Sequence, residues 1–290
     1  MKKVLFISLL SLSLFSCDRF TEGVVRDIDL PEHEPKLVGS LLADASDTTL
    51  VAIVSKTKGL LDTGNDVLLE NALLNLYLDN ALLYSWDTQD PMMGYYNRAL
   101  ADTLGAADGT FKLEVQHPDF DPISATDKFP SKAVVSNATI DRGGASMFGM
   151  SMDEFTISLQ DIPGENQHYI ITLEYSEVND PFWYDLDINT DDTRAQTLSF
   201  GSALLLSEGG IDADLNLTFT AFLDSSPFPD DIQYRIKVKT LSQAGYFYYT
   251  SIQNYEQAQN NPFSEPVLIY SNMEGGYGAF ILSQTAQVHL

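Results

Sequence analysis

The sequence predicts a mainly β protein made of two sandwich-like units, with one short helix near the C-terminus. Three observations predict it. Apolar residues recur at every second position over many short stretches, the pattern of half-buried strands. Turn signals such as Asp79-Asn80 and Asp108-Gly109 interrupt those stretches. Only 246–259 carries aromatic residues at helical spacing without a proline.

In chain order, residues 37–42, 50–55 and 72–78 read as strands, and Asp79-Asn80 sits between two apolar runs as a two-residue hairpin turn. Phe111, Leu113 and Val115 alternate with Lys112, Glu114 and Gln116. Short strands punctuated this often indicate an immunoglobulin-like or transthyretin-like sandwich over 37–130. Residues 131–149 hold the Gly143-Gly144 pair and read as a linker. Alternation resumes in a second β-rich domain, 150–290, with Phe155, Ile157 and Leu159 on one face, then Tyr169, Ile171, Leu173 and Tyr175. Leu215, Leu217, Phe219 and Ala221 follow, and Tyr234, Ile236 and Val238 oppose Arg235, Lys237 and Lys239, a solvated outer face. Tyr248, Tyr249, Ile252 and Tyr255 then share a helix face, which Asn260-Asn261-Pro262 ends.

The first sixteen residues form a signal peptide: Lys2 and Lys3, an apolar run, then small residues. The run from Val4 to Ser16 is shorter than the roughly 20 residues a membrane-spanning helix needs. Leu14-Phe15-Ser16-Cys17 resembles a bacterial lipobox, so Cys17, the only cysteine, is expected to carry the lipid. Residues 17–36 are polar, with Pro31 and Pro35, and read as a lipidated tether.

Cleavage before Cys17 removes Lys2 and Lys3 and no acid, taking the formal net charge from −25 to −27. Such a field repels nucleic acid and anionic lipid heads, so no nucleic-acid partner is expected and the membrane is reached through the acyl chains. With Cys17 used for lipid there is no disulfide. His33, His117, His168 and His289 have no zinc spacing.

Asp185, Asp187, Asn189 and Asp191 are the densest oxygen-ligand cluster, and calcium is the one metal such a run would suit. Thr190 and Gln196 stand where an EF-hand needs glycine and glutamate. The competing reading is a strand with Asp185, Asp187 and Asn189 on one solvent face. Trp86, Tyr95 and Tyr96 flank one loop, and Trp183 and Tyr184 precede the acidic run; they are candidate ligand or partner contacts, weighed against service as core anchors. No catalytic residue is assigned, because no nucleophile elbow, zinc-protease, phosphate-loop or dinucleotide motif is present. The chain is therefore expected to be non-enzymatic and without a cofactor.

Three C-terminal segments carry a family likeness: Asn261-Pro262-Phe263-Ser264-Glu265-Pro266, Ile269-Tyr270-Ser271-Asn272, and Glu274-Gly275-Gly276-Tyr277-Gly278-Ala279-Phe280. With Glu34-Pro35-Lys36-Leu37-Val38 they make the mature chain resemble the Bacteroidetes lipoprotein family catalogued as domain of unknown function 4249. Gly275, Gly276 and Gly278 also have a physical reading, a turn with positive φ or a close backbone approach. The resemblance implies an outer-membrane lipoprotein, facing the cell surface, that assists a TonB-dependent transporter in capturing a nutrient. Two other readings follow from the residues: a stand-alone surface glycan-binding or adhesin module, and a hydrolase using two carboxylates; a small nutrient or glycan is the expected ligand.

Overall fold

A computed structural model describes residues 33–59, 62, 68–147, 149–177, 180–198, 202–209, 213–221, 232–259, 263–265 and 267–290. Two units separate by their contacts, one of residues 1–34 and 58–62, the other of 35–57 and 63–290. In the small unit the Gly59 N–H donates to the Asp62 carboxylate at 2.8 Å. The larger unit holds the elements below.

β1 (Leu37–Asp44) and β2 (Thr49–Lys56) form an antiparallel hairpin. Its turn is tied by Asp44 N–H donating to Asp47 (2.8 Å) and by the Ser46 N–H and hydroxyl donating to Asp44 (3.0 and 2.7 Å). β3 (Leu73–Leu78) returns as β4 (Ala81–Trp86) through Asp79 and Asn80, whose φ angles of 47° and 69° are those of the expected hairpin turn. β5 (Tyr96–Ala99), β6 (Phe111–His117) and β7 (Phe120–Asp127) complete the first half. Its core takes the inward residues of each strand, among them Leu41, Leu50, Leu74, Leu76, Phe111 and Leu113. Period-two alternation buries these while Lys112 and Glu114 stay at the surface.

The second half contains β8 (Val135–Met147), β9 (Met150–Leu159), β10 (His168–Glu177), β11 (Tyr184–Leu186), β12 (Ile188–Asn189), β13 (Ala195–Leu198), β14 (Ala203–Ser207), β15 (Leu215–Ala221) and β16 (Ile232–Leu241). Phe155 packs against Phe219 and Tyr234 in its core, with ring centroids 5.5 and 5.1 Å apart. The 131–149 stretch is not merely a connection, since 135–147 is strand β8, paired with β9. Its alternation is hidden in the sequence because the register shifts between Asp141 and Ala145. Gly143, at φ 67°, sits in that bulge, and its N–H donates to buried Asp153 at 3.0 Å.

α1 (Gln243–Gln259) starts three residues before the aromatic spacing suggested, because Ser242 caps it: the Gly245 N–H donates to the Ser242 hydroxyl at 3.2 Å. Tyr246 and Tyr249 pack on a small third core of Ile170, Leu198, Ala203, Leu205 and Leu241. Of the expected stop, Asn260 to Pro262 lie outside the described residues.

β17 (Phe280–His289) joins the halves. It runs parallel to β1, pairing Leu41 with Phe280 and Asp44 with Ser283, and antiparallel to β16 from Leu241–Ser283 to Arg235–His289. Phe280 and Leu282 enter the first core and Ala286 the second. One sheet therefore continues as β13-β14-β10-β16-β17-β1-β2-β5, with β11 on β10, and two four-stranded sheets, β4-β3-β6-β7 and β12-β15-β9-β8, are also formed.

Candidate functional site

The candidate site is built on the outer face of the long sheet. Because Tyr169, Ile171, Ile236 and Val238 fill the core, their neighbours Ile170, Thr172, Glu174, Lys237 and Lys239 must point out. With Thr285 and Gln287 of β17, the Asp44–Asp47 turn, Lys132 and Asp185 they line an open depression of about 870 Å³. Glu174 is nearly buried and held by Arg235 and Lys237, the latter at 2.5 Å. Burial alone would push the Asp44 carboxyl up, but hydrogen bonds from Ser46, Thr285 and Ser283 outweigh it and hold it below the usual carboxylate range. Lys132 and Lys239 have no ion-pair partner among the described residues. Sequence reasoning assigned Lys237 and Lys239 only to a solvated face. The usable signal was three outward cations in a row, in a chain with 16 Lys and Arg against 41 Asp and Glu.

The aromatic candidates fare differently. Trp86 is 4 % exposed and belongs to the first core. Tyr96 is fully buried there, its hydroxyl donating to the Leu69 carbonyl (2.8 Å) and accepting from the Ala72 N–H (2.9 Å). Both are core anchors, which corrects their reading as contact residues; the adjacent Tyr95 is half-buried. Trp183 is half-buried, with the Arg235 guanidinium 4.2 Å over its ring and His289 edge-on at 5.4 Å. Tyr184 remains exposed and bonds Asp180 at 3.2 Å. Cys17 lies outside the described residues.

The acidic run is split between two sheets, with Asp185 in β11 beside β10 and Asn189 in β12 beside β15, so the residues of the strand alternative do not share one solvent face. Leu186 and Ile188 point into the core, so Asp185, Asp187, Asn189 and Asp191 project outward. Asp185 lines the large depression, whereas Asn189 and Asp191 line another, of about 500 Å³, on the outer face of the β12-β15-β9-β8 sheet. Asp187 accepts from the Ser202 hydroxyl. Among the described residues no three His, Cys, Asp or Glu side chains gather to hold a metal ion. Two-residue spacing on a strand is too extended to wrap one cation unless the chain loops around it.

The glycine-rich ending lies against the first strand. The Gly39 N–H donates to Tyr277 O (2.9 Å), Tyr277 N–H to Leu37 O (3.0 Å) and Leu41 N–H to Ala279 O (2.9 Å). Glu34 to Val38 and Glu274 to Phe280, distant in sequence, thus bring Leu37 and Val38 beside Tyr277. Residues 25–288 match the family described as Domain of unknown function (DUF4249). The chain belongs to the DUF4249 family. No curated protein matches it. Among solved structures this DUF4249 chain is similar to "Cytokine receptor complex - Crystal form 1A", at 12% identity over 71% of this chain and 85% of that one, TM-score 0.25. It is also similar to "The structure of a beta-glucuronidase from glycoside hydrolase family 2", at 12% identity over 85% of this chain and 22% of that one, TM-score 0.23. Neither likeness carries an argument about function.

One buried acid of the DUF4249 fold lies off both depressions. Glu208, 3 % exposed, accepts from the Gln167 N–H at 3.1 Å and faces the Tyr169 hydroxyl at 3.0 Å. That hydroxyl has one proton and two acceptors, Glu208 and the Gln167 side chain. Burial pushes the Glu208 carboxyl up, and Asp161 and Glu165 add to the shift. A folded-state pKa above the unfolded one means that stability from this group is full below the unfolded pKa and is lost as pH rises through the folded value. Glu208→Gln, whose amide can accept from Gln167 and donate to Tyr169, is therefore expected to raise the melting temperature by roughly 2 °C near pH 7 and hardly at all near pH 4. An equal change at both pH values in a thermal scan contradicts this.

Proposed function

We propose that the protein is an outer-membrane lipoprotein, anchored through Cys17 and facing outward, that assists a TonB-dependent transporter in capturing a nutrient without catalysing a reaction. The observation that carries the binding role is the broad depression on the long sheet. Its nearly buried carboxylates are already engaged, Glu174 by Arg235 and Lys237 and Asp44 by three hydroxyls, which leaves a surface for contact. Membrane attachment rests on the Leu14-Phe15-Ser16-Cys17 ending. A stand-alone glycan-binding role draws less support, because Trp86 and Tyr96 are core residues and one face of Trp183 is covered by Arg235.

The anchoring is tested with Cys17→Ala. The wild-type chain is expected in the detergent-extracted membrane fraction and to incorporate labelled fatty acid. The variant is expected to appear folded in the aqueous fraction without label. A variant that stays in the membrane would remove the anchor from the account.

A further inference from the structure

His168 is buried where α1 closes over the long sheet. It opens β10 and points to the outer side, since Tyr169 and Ile171 fill the core. It is 5 % exposed, its ring lies parallel to that of Tyr246 at 4.1 Å, and its Nδ1 is 3.0 Å from the Ser207 hydroxyl. Tyr246 belongs to the first turn of α1, so the positive end of the helix dipole lies beside the imidazole. Helix and sheet are pressed together there: a Cβ on Gly245 would lie 2.9 Å from the Ile281 side chain. Among the described residues the elements packed on His168 bring no carboxylate to its ring. β14 presents Ser207, and β16 presents Leu241 in register and then Lys239, another cation. From α1 come Tyr246 and, a turn later, Tyr249; the helix's one charged side chain, Glu256, is about 15 Å further along the axis. Of the acids near this end of the sheet, Asp127 bonds Ser242 and Leu282, Glu165 bonds Ser131, and Glu208 faces Tyr169 on the core side. Burial holds the His168 imidazole below the usual histidine range.

We propose that His168 is a pH-sensitive latch beneath α1: neutral, it lets the first two turns of the helix close on the sheet, and protonated, it releases them and bares the apolar patch under them. That patch is Ile170, Leu198, Ala203, Leu205 and Leu241, on which Tyr246 and Tyr249 pack. An imidazolium has no counter-charge while the stack is shut, and it regains water only when Tyr246 lifts. The release is local, because further along α1 the Ser251 hydroxyl accepts from the Tyr270 N–H at 2.8 Å and holds the helix independently. With the closed-state value lowered, closure is fully favoured above the exposed-histidine pKa of about 6.5 and is lost as pH falls through the lowered value. The ratio of open to closed turns therefore rises by up to about thirtyfold between about pH 7.5 and about pH 5. Asp127 and Glu208 act in the opposite sense: both are pushed up, so acid strengthens what they hold. The latch does not depend on the membrane anchor or on a transporter.

Amide hydrogen exchange on the full chain at about pH 7.5 and about pH 5 tests it, read as protection factors so that the intrinsic effect of pH cancels. The amides of Tyr246 to Tyr249 are expected to lose protection by up to about thirtyfold in acid, while those of β9 and β15 keep theirs. The ring signals of His168 are expected to titrate below about pH 6.5. His168→Phe keeps a flat ring under Tyr246 but takes no proton, and is expected to abolish the acid loss. Should it fail to fold, His168→Gln, which can still bond Ser207, supplies the same comparison. The proposal is overturned if α1 loses no protection in acid, or if β9 and β15 lose as much. It is overturned equally if the loss persists in a variant that cannot titrate, or if His168 titrates at or above about pH 6.5, as attraction to the Tyr246 ring would produce.

Discussion

Gly278→Ala is expected to cost about 4 kcal/mol or more, a large fraction of the stability of a typical domain. A Cβ at this position would lie 1.9 Å from the Gly39 carbonyl oxygen, and the residue has φ +119°. Neither obstacle is relieved by turning a side chain, since the clash is with backbone. β17 would have to move away from β1, weakening the bonds from Gly39, Leu41 and Tyr277, each worth about 1 kcal/mol, and the backbone strain adds about 1–3 kcal/mol. Gly164→Ala is the matched control: φ is +83°, but nothing lies within 4 Å of the added atom, so only the conformational cost of about 1 kcal/mol is expected. Urea unfolding of the two variants measures the difference. Equal losses would mean that the glycine ending is not pressed against β1.

Asp127→Ala is expected to cost about 3 kcal/mol and Asp127→Asn about 1 kcal/mol or less. Asp127 ends β7 and accepts from the Leu282 N–H (2.8 Å) and the Ser242 hydroxyl (2.7 Å) on one oxygen, and from the Lys128 N–H (2.9 Å) on the other. It thereby ties the first sandwich to β17 and to the cap of α1. Alanine would strand the Leu282 N–H beside the core, whereas an asparagine oxygen still receives both Leu282 and Ser242. Burial pushes the Asp127 carboxyl up despite these bonds. Its contribution is thus full below the unfolded pKa and declines as pH rises through the folded one, so Asp127→Asn is expected to cost least at neutral pH. Denaturation midpoints of both variants near pH 4 and about pH 7 check the order. An alanine variant as stable as the asparagine one would show that the node carries no load.

The strands of both halves were legible because each has one face in a core: Leu113 and Val115, or Ile236 and Val238, could not be buried at any other period. Asp79-Asn80 was legible because few side chains tolerate two successive positive φ angles. β8 was not, because the bulge at Gly143 breaks its alternation and a glycine pair reads alike in a linker and a bulge. Nor was the parallel pairing of β1 with β17, since local pattern holds no information about a partner more than two hundred residues away. The close approach at Gly276 and Gly278 was anticipated, but not that Leu37 and Gly39 make it. At Trp86 and Tyr96 the sequence left a contact platform and a core anchor both open, and their burial decides for the anchor. The depression escaped notice because Lys132, Lys237, Thr285 and Asp44 come from four separate segments.

The central claim, that this DUF4249 chain is a lipid-anchored binding partner of a membrane transporter, is tested most directly by affinity recovery from solubilised outer membrane. Tagged wild-type chain is expected to bring down a TonB-dependent transporter in repeated preparations, and tagged Cys17→Ala, collected from the aqueous fraction, is expected to bring down none. Recovery of the wild-type chain alone, preparation after preparation, would contradict the account.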